Sequence, residues 1–149
     1  NICGTVMKTS PNGIALIKEF EGLRLKAYKC LGGVWTIGYG HTAGVRPGMV
    51  ITEAQAEEFL KEDLFSCENA VNNQKLSINQ NQFDALVSLI YNIGIGNFQK
   101  STLLRKARIN PNDNSIMDEF LKWVYSKGRV LPGLQRRRLR EMKLYFSNE

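Results

Sequence analysis

The sequence holds one histidine, His41, and only three cysteines, Cys3, Cys30 and Cys67. With no Cys-x-x-Cys pair and no cysteine–histidine ligand spacing, no metal is expected and a Ser-His-Asp triad is poorly supported. The odd cysteine count allows at most one internal disulfide, and one thiol is left over in every pairing. No apolar run approaches the ~18 residues of a membrane span, so stable membrane insertion of this chain is not expected. No charged-then-apolar export signal is visible. Internal repeats and low-complexity segments are lacking too.

What is present suits one compact domain spanning residues 1–149. The chain has 149 residues, 43% hydrophobic and 23% charged, enough to bury a core without disulfide or metal staples. Its formal charge of +6 is unevenly spread. Residues 1–100 balance nine Lys+Arg against nine Asp+Glu, and residues 101–149 carry eleven against five. So basic a C-terminal part suggests an anionic partner: nucleic acid, an anionic membrane or an anionic cell wall. Solubility alone is the plain alternative.

Local signals place the elements. Ser10 and Pro11 read as N-cap and first residue of a helix with Ile14, Ile17 and Phe20 on one stripe. Gly22 ends it, leaving Glu21 in the last turn. Residues 27–40 switch to strand character around Gly32-Gly33 and predict a β-hairpin, with a third short strand near Val50-Ile51. Thr52 opens a helix to about Asn72 with a capping box, and Ser77-Ile-Asn-Gln predicts a second box. Phe83, Leu86, Val87, Ile90 and Ile93 make the following helix the core of a second lobe, stopped by Gly94 and Gly96. Shorter helices are predicted at about 99–108 and 115–126. A last one starts near Pro132 and uses Leu139, Met142 and Phe146. The architecture is α+β and mostly helical. A lobe over 10–75 carries a helix and the hairpin, and a helical lobe covers 76–149. Clefts form between such lobes.

Three side chains in this frame could share one cleft: Glu21, Cys30 and Thr36. Cys30 lies directly opposite Thr36 if the hairpin loop is Gly32-Gly33-Val34, and on the other face if the loop is Gly-Gly alone. Breaking a glycosidic bond needs a proton donor to the leaving oxygen and a base or nucleophile across the sugar. A partly shielded glutamic acid can keep its proton near neutral pH. An ionised thiol can activate water or attack carbon, and a threonine can orient the water. The plain alternative is a solvated glutamate, an inert thiol and a hairpin threonine.

The stretch FEGLRLKAYKCLGGVWTIGYGHT resembles the catalytic region of phage-type lysozymes, the endolysins of glycoside hydrolase family 24. Their signature is Glu, eight residues, Asp or Cys, five residues, Thr; Glu21, Cys30 and Thr36 fit it without a gap. The likeness continues in ALVSLIYNIGIGNFQKSTLLRK and VLPGLQRRRLREMKLYF, and so covers about residues 10–147. It implies a two-lobed lysozyme-like fold and a muramidase. The substrate would be the β-1,4 bond between N-acetylmuramic acid and N-acetylglucosamine in bacterial peptidoglycan. It also implies Glu21 as general acid, Cys30 at the second catalytic position in place of the commoner aspartate, and Thr36 as the water-orienting residue.

The resemblance further places Tyr91 and Asn92 along the saccharide cleft and Ser101 and Thr102 on its far wall. Core packing is the plain alternative for Tyr91. His41 is grouped with the binding residues, although a structural histidine bonded to a carboxylate is the favoured reading. Family members set one arginine of the last helix against the catalytic glutamate, and Arg137 is the choice here. Its neighbours Arg136, Arg138 and Arg140 read as a solvated face attracting wall polymers. Some members carry an N-terminal anchor whose cysteine can pair with the catalytic one, which raises a Cys3–Cys30 disulfide; Cys67 reads as a buried inert thiol. No cofactor is called for. The implied protein is a monomer made in the bacterial host cytoplasm and acting in the periplasm or cell wall, reached through a helper pore or an upstream export segment. Two alternatives remain: a lytic transglycosylase, and a non-catalytic basic wall-binding domain. Nucleic acid is not expected, since no stacking platform accompanies the arginines.

Overall fold

The computed structural model describes residues 6–30 and 32–148. Cys3, and with it any pairing to Cys30 or Cys67, lies outside the described residues. The first helix, α1 (Pro11–Glu21), starts as its capping signals require. The Ser10 hydroxyl accepts from the Gly13 amide and donates to the buried Asp84 carboxylate. Gly22, with φ +70°, ends the helix.

Two strands follow, β1 (Arg24–Lys29) and β2 (Trp35–Gly38), paired antiparallel with Tyr28 facing Thr36 and Lys29 facing Trp35. Val50 adds only an isolated bridge to Lys26. The long α2 (Glu53–Asn72) opens with the Thr52–Gln55 capping box. The next helix, α3 (Gln80–Ile93), is capped by Asn79 and Gln82 rather than by Ser77. Ile78 immediately before the cap packs on the cluster holding Phe83, the arrangement of a hydrophobic staple, and this sets the start two residues later.

Gly94, with φ +94°, ends α3, whereas Gly96 lies inside a short α4 (Ile95–Lys100). Then come α5 (Thr102–Ile109) and α6 (Ile116–Leu121). A small hairpin not expected from the sequence, β3 (Tyr125–Ser126) with β4 (Arg129–Val130), precedes the last helix, α7 (Pro132–Tyr145). Lys127 and Gly128 both take positive φ, as a two-residue hairpin turn demands.

Two cores result. The larger gathers Ile17, Leu60, Phe83, Leu86, Phe98 and Phe120 among others; the smaller holds Ile37, Ile51 and Ala56 under the hairpin. Each such large apolar side chain contributes about 1.5–3 kcal/mol on burial. The α1 helix belongs with the larger core, against α3, although in sequence it stands beside the hairpin. Gly13 shows how closely: a β-carbon there would lie 2.7 Å from Asp84 Cγ.

The residues ahead of α1 are tied down as well. Met7 exchanges two hydrogen bonds with the Asn72 amide, both 3.0 Å. Glu68 accepts from the Thr9 amide and hydroxyl at 2.9 and 2.7 Å, and Gln80 donates to the Lys8 carbonyl at 2.8 Å. Asp84 takes the Ser10 amide at 3.0 Å.

The last helix departs most from its sequence reading. Leu139 is 41% exposed, and the buried face of α7 carries Arg137, Arg138 and Glu141 beside Tyr145.

Candidate active site

Glu21 stands in the last turn of α1, which Gly22 terminates, and its carboxyl lies between Arg137 of α7 and Gly40 of the turn after β2. Its side chain is 20% exposed. Arg137 Nη1 of α7 donates to Oε2 at 2.7 Å. The other oxygen, Oε1, approaches Gly40: a β-carbon built there would sit 2.8 Å from it, at a φ of +88°. Only glycine leaves that space and takes that backbone without strain.

Glu21 joins two adjoining cavities, of about 420 and 690 Å³. Gly40, Asp63, Tyr91 and Asn92 help to line the first; Phe20, Asn92, Leu134 and Arg137 help to line the second. Asn92 also borders a third cavity of about 540 Å³ with Trp123 and Tyr125. Shared lining residues make this one groove with Glu21 partway along it. A groove carrying an acid, an amide and aromatic faces suits an extended, polar, ring-bearing ligand.

The hairpin brings Cys30 and Thr36 together. The Cys30 amide donates to the Val34 carbonyl at 2.9 Å, and the Gly33 amide donates to the Cys30 carbonyl at 2.8 Å. The ladder therefore closes between Cys30 and Val34. This is an odd loop, as a shared face requires, but its register differs from the sequence reading. Thr36 faces Tyr28, and Cys30 stands diagonal to Thr36 rather than directly opposite. Thr36 is buried, and its hydroxyl donates to the Val34 carbonyl at 3.0 Å. Cys30 is half-buried. Backbone hydrogen bonds at Val34 and Gly32, then the Thr36 hydroxyl, hold its thiol below the ordinary value. Cys67 behaves oppositely: burial, with Asp63 and Glu68 nearby, pushes its thiol up to about 12.

Tyr91 and Asn92 lie in the groove beside Glu21. The Tyr91 hydroxyl donates to the Tyr39 carbonyl at 2.5 Å, pinning the turn that presents Gly40. Burial drives its phenol pKa upward. His41 is 4% exposed, pairs with Asp63 at 2.8 Å and stacks on Phe59 at 4.1 Å between ring centroids. With its ring held by Asp63 and Phe59, both of α2, His41 ties the turn after β2 to that helix. Ser101 caps α5, accepting from Leu104 at 3.1 Å and donating to Phe98 at 2.7 Å. Thr102 accepts from Arg105 at 2.8 Å. Both border a smaller cavity of about 210 Å³ that shares Asn97, Lys122 and Trp123 with the third one and does not reach Glu21.

Sequence reasoning missed Gly40 and Asp63 in the groove wall, and the burial of Arg138. The Arg137–Glu141 and Arg138–Glu141 spacings, i,i+4 and i,i+3, are the signal that could have found the buried pair. Among the described residues no cluster of His, Cys, Asp and Glu could hold a metal ion.

Known proteins of the same shape exist. The Phage lysozyme family model matches residues 18–141. An endolysin of Acyrthosiphon pisum secondary endosymbiont phage 1 is 47% identical, over 95% of this chain and 99% of its own. The solved endolysin from Escherichia coli O157:H7 phage FAHEc1 superposes with a TM-score of 0.87 at 38% identity, covering 96% of both chains. A crystal structure of a P22 lysozyme mutant superposes at 0.81 with 42% identity, covering 95% of this chain and 99% of its own.

Proposed function

This chain belongs to the phage lysozyme family, and we propose from it that Glu21 protonates the bridging oxygen of a peptidoglycan strand while Cys30 and Thr36 deliver the attacking water. The protein is a muramidase of the endolysin type, a glycoside hydrolase that lyses cell walls. The observation that carries the residue assignment is the placement of Glu21 partway along an open groove, with one oxygen held by Arg137 and the other turned to Gly40.

In this reading the sugar bond between N-acetylmuramic acid and N-acetylglucosamine lies across Glu21. The proton on Oε1 passes to the leaving oxygen as the bond to the anomeric carbon breaks. A water held by the Thr36 hydroxyl supplies the oxygen that bonds to that carbon, and its proton goes to the Cys30 thiolate. The hydrogen bonds that lower the Cys30 thiol favour that thiolate. Solvent then reprotonates Glu21 and takes the proton from Cys30. Water attack inverts the anomeric centre; direct attack by sulfur, followed by water, would retain it. The protein acts as a monomer, made in the bacterial host cytoplasm and working on the wall outside the inner membrane.

The test is turbidity loss of purified peptidoglycan with the parent, Glu21→Gln and Cys30→Ser. Loss of lysis in both variants, with wall binding retained, is expected. Lysis by Glu21→Gln would refute the acid assignment. Muropeptide mass spectra should show hydrated reducing ends; anhydro ends would identify a transglycosylase instead.

A further inference from the structure

The inward charges of α7 need a reason. Arg138 and Glu141 are fully buried, and Arg137 is 4% exposed. Buried ions each carry a desolvation cost of several kcal/mol, and apolar residues in their place are often as stable or more so. Stability alone therefore does not account for the cluster.

The cluster immobilises one guanidinium. Each nitrogen of Arg137 is engaged. Nε donates to Glu141 Oε2 at 3.1 Å, Nη2 to the Ser88 carbonyl at 3.1 Å, and Nη1 to Glu21 Oε2 at 2.7 Å. Glu141 Oε2 is itself fixed from two further sides. The Ser88 hydroxyl donates to it at 2.6 Å and Arg138 Nη2 at 3.1 Å. Arg138 Nε stands 2.7 Å from Glu141 Oε1, an ion contact bent off the hydrogen-bond line. The Phe20 ring of α1 lies 5.9 Å from the Arg137 guanidinium carbon. The charged and titratable groups facing the cluster are Glu21 from α1, Tyr91 from α3, and the two arginines of α7 itself.

We infer that Glu141 is a positioning residue for the glycosidase reaction: through Arg137 it holds Glu21 Oε2, so that the catalytic proton is presented on Oε1 toward Gly40 and the groove. A guanidinium free to rotate could bond either oxygen or both, and the proton would lose its defined place. Ser88 and Arg138 serve Glu141 in turn, one by a hydrogen bond and the other by balancing its charge where water does not reach. The inference rests on Glu21 being the acid.

The experiment measures kcat and KM for reducing-end release from soluble, uncrosslinked peptidoglycan strands. The variants are Glu141→Gln and the paired change Arg138→Met with Glu141→Leu, each with Arg137 intact and in an Arg137→Ala background. The paired change guards against simple unfolding, because it leaves no buried charge without its partner. With Arg137 intact, kcat should fall between about 10- and 100-fold while KM stays within about twofold. With Arg137 already removed, neither change should cost more. Glu141→Asp should recover part of the loss.

Equal losses in both backgrounds would mean a purely structural role and overturn the inference, as would an unchanged kcat in the folded paired variant. Glu21→Gln, run beside them, separates the two failures. If it stays active, the acid assignment itself is wrong. If it is inactive while the Glu141 variants turn over normally, only the positioning role is lost.

Discussion

Replacing Gly40 by alanine puts a methyl group 2.8 Å from Glu21 Oε1. An ordinary contact needs about 3.5 Å or more, so the carboxyl must withdraw by more than about half an ångström. Arg137 opposes that shift, since it holds Oε2 at 2.7 Å. The backbone adds a second cost. Gly40 has φ +88°, and an L-residue in the left-handed region costs about 1–2 kcal/mol. For a chain this long that lowers Tm by about 3–6 °C. The two effects can be told apart. Gly48 has a similar φ of +84°, and a β-carbon placed there would meet no atom within 4 Å, so Gly48→Ala carries the backbone cost alone. Gly40→Ala should lose at least as much Tm as Gly48→Ala by calorimetry, any excess being the cost of moving the carboxyl. Only Gly40→Ala should lose turnover, by roughly 100-fold, the usual scale for a misplaced catalytic group. If Gly40→Ala turns over as fast as Gly48→Ala, then Oε1 is not the oxygen that delivers the proton.

Cys30 and Cys67 should differ sharply toward iodoacetamide near neutral pH. Cys30, with its thiol held below the ordinary value, should be alkylated and activity lost in step, while Cys67, pushed up to about 12 inside α2, should stay unmodified in peptide mass spectra. Glu119 gives a pH signature. Burial raises its carboxyl, but hydrogen bonds from Lys106 and Lys122 outweigh that and hold it below its ordinary 4.5. Its contribution is therefore full above that pH and lost as pH falls through the lower folded value. The Tm gap between the parent and Glu119→Gln should be constant at pH 6 to 7 and close progressively below pH 4.5.

Legibility in the sequence followed the range of the interaction. The starts of α1 and α2 were readable because Ser10-Pro11 and Thr52 with Gln55 act within one turn. The start of α3 was misread because Ser77 and Asn79 offer the same local chemistry, and only packing of Ile78 against the core separates them. The β3–β4 hairpin was overlooked although Lys127-Gly128 is a two-residue turn signal; strands of two residues leave no alternating pattern around it. Spacing and resemblance pick out Glu21, Cys30 and Thr36, but hairpin parity left the last two on one face or on opposite faces according to loop length, and the ladder closing at Cys30 and Val34 decides for one face. Their register depended on which loop residues left the ladder, which alternation cannot tell. Gly40 could not be found that way, because its role comes from a carboxyl arriving from another element. The inward face of α7 was unreadable for the same reason. A run of arginines looks solvated until Ser88 and Glu21, far off in sequence, are known to meet it.

The tethering of residues 7–10 to α2 and α3 joins the start of α1 to the larger core. Because Ser10 is fastened to Asp84 and α1 packs on α3, Glu21 is mechanically a member of the helical body, as is Arg137 on α7. Cys30 and Thr36 ride on the hairpin, which rests on α2 over its own small core. If Cys30 and Thr36 handle water as proposed, a shift of the hairpin would change their distance from Glu21, whereas the Glu21–Arg137 contact joins two helices that both pack on α3. On the proposed roles, the acid and its arginine therefore belong to one packed body, and the two residues proposed to handle water belong to the hairpin.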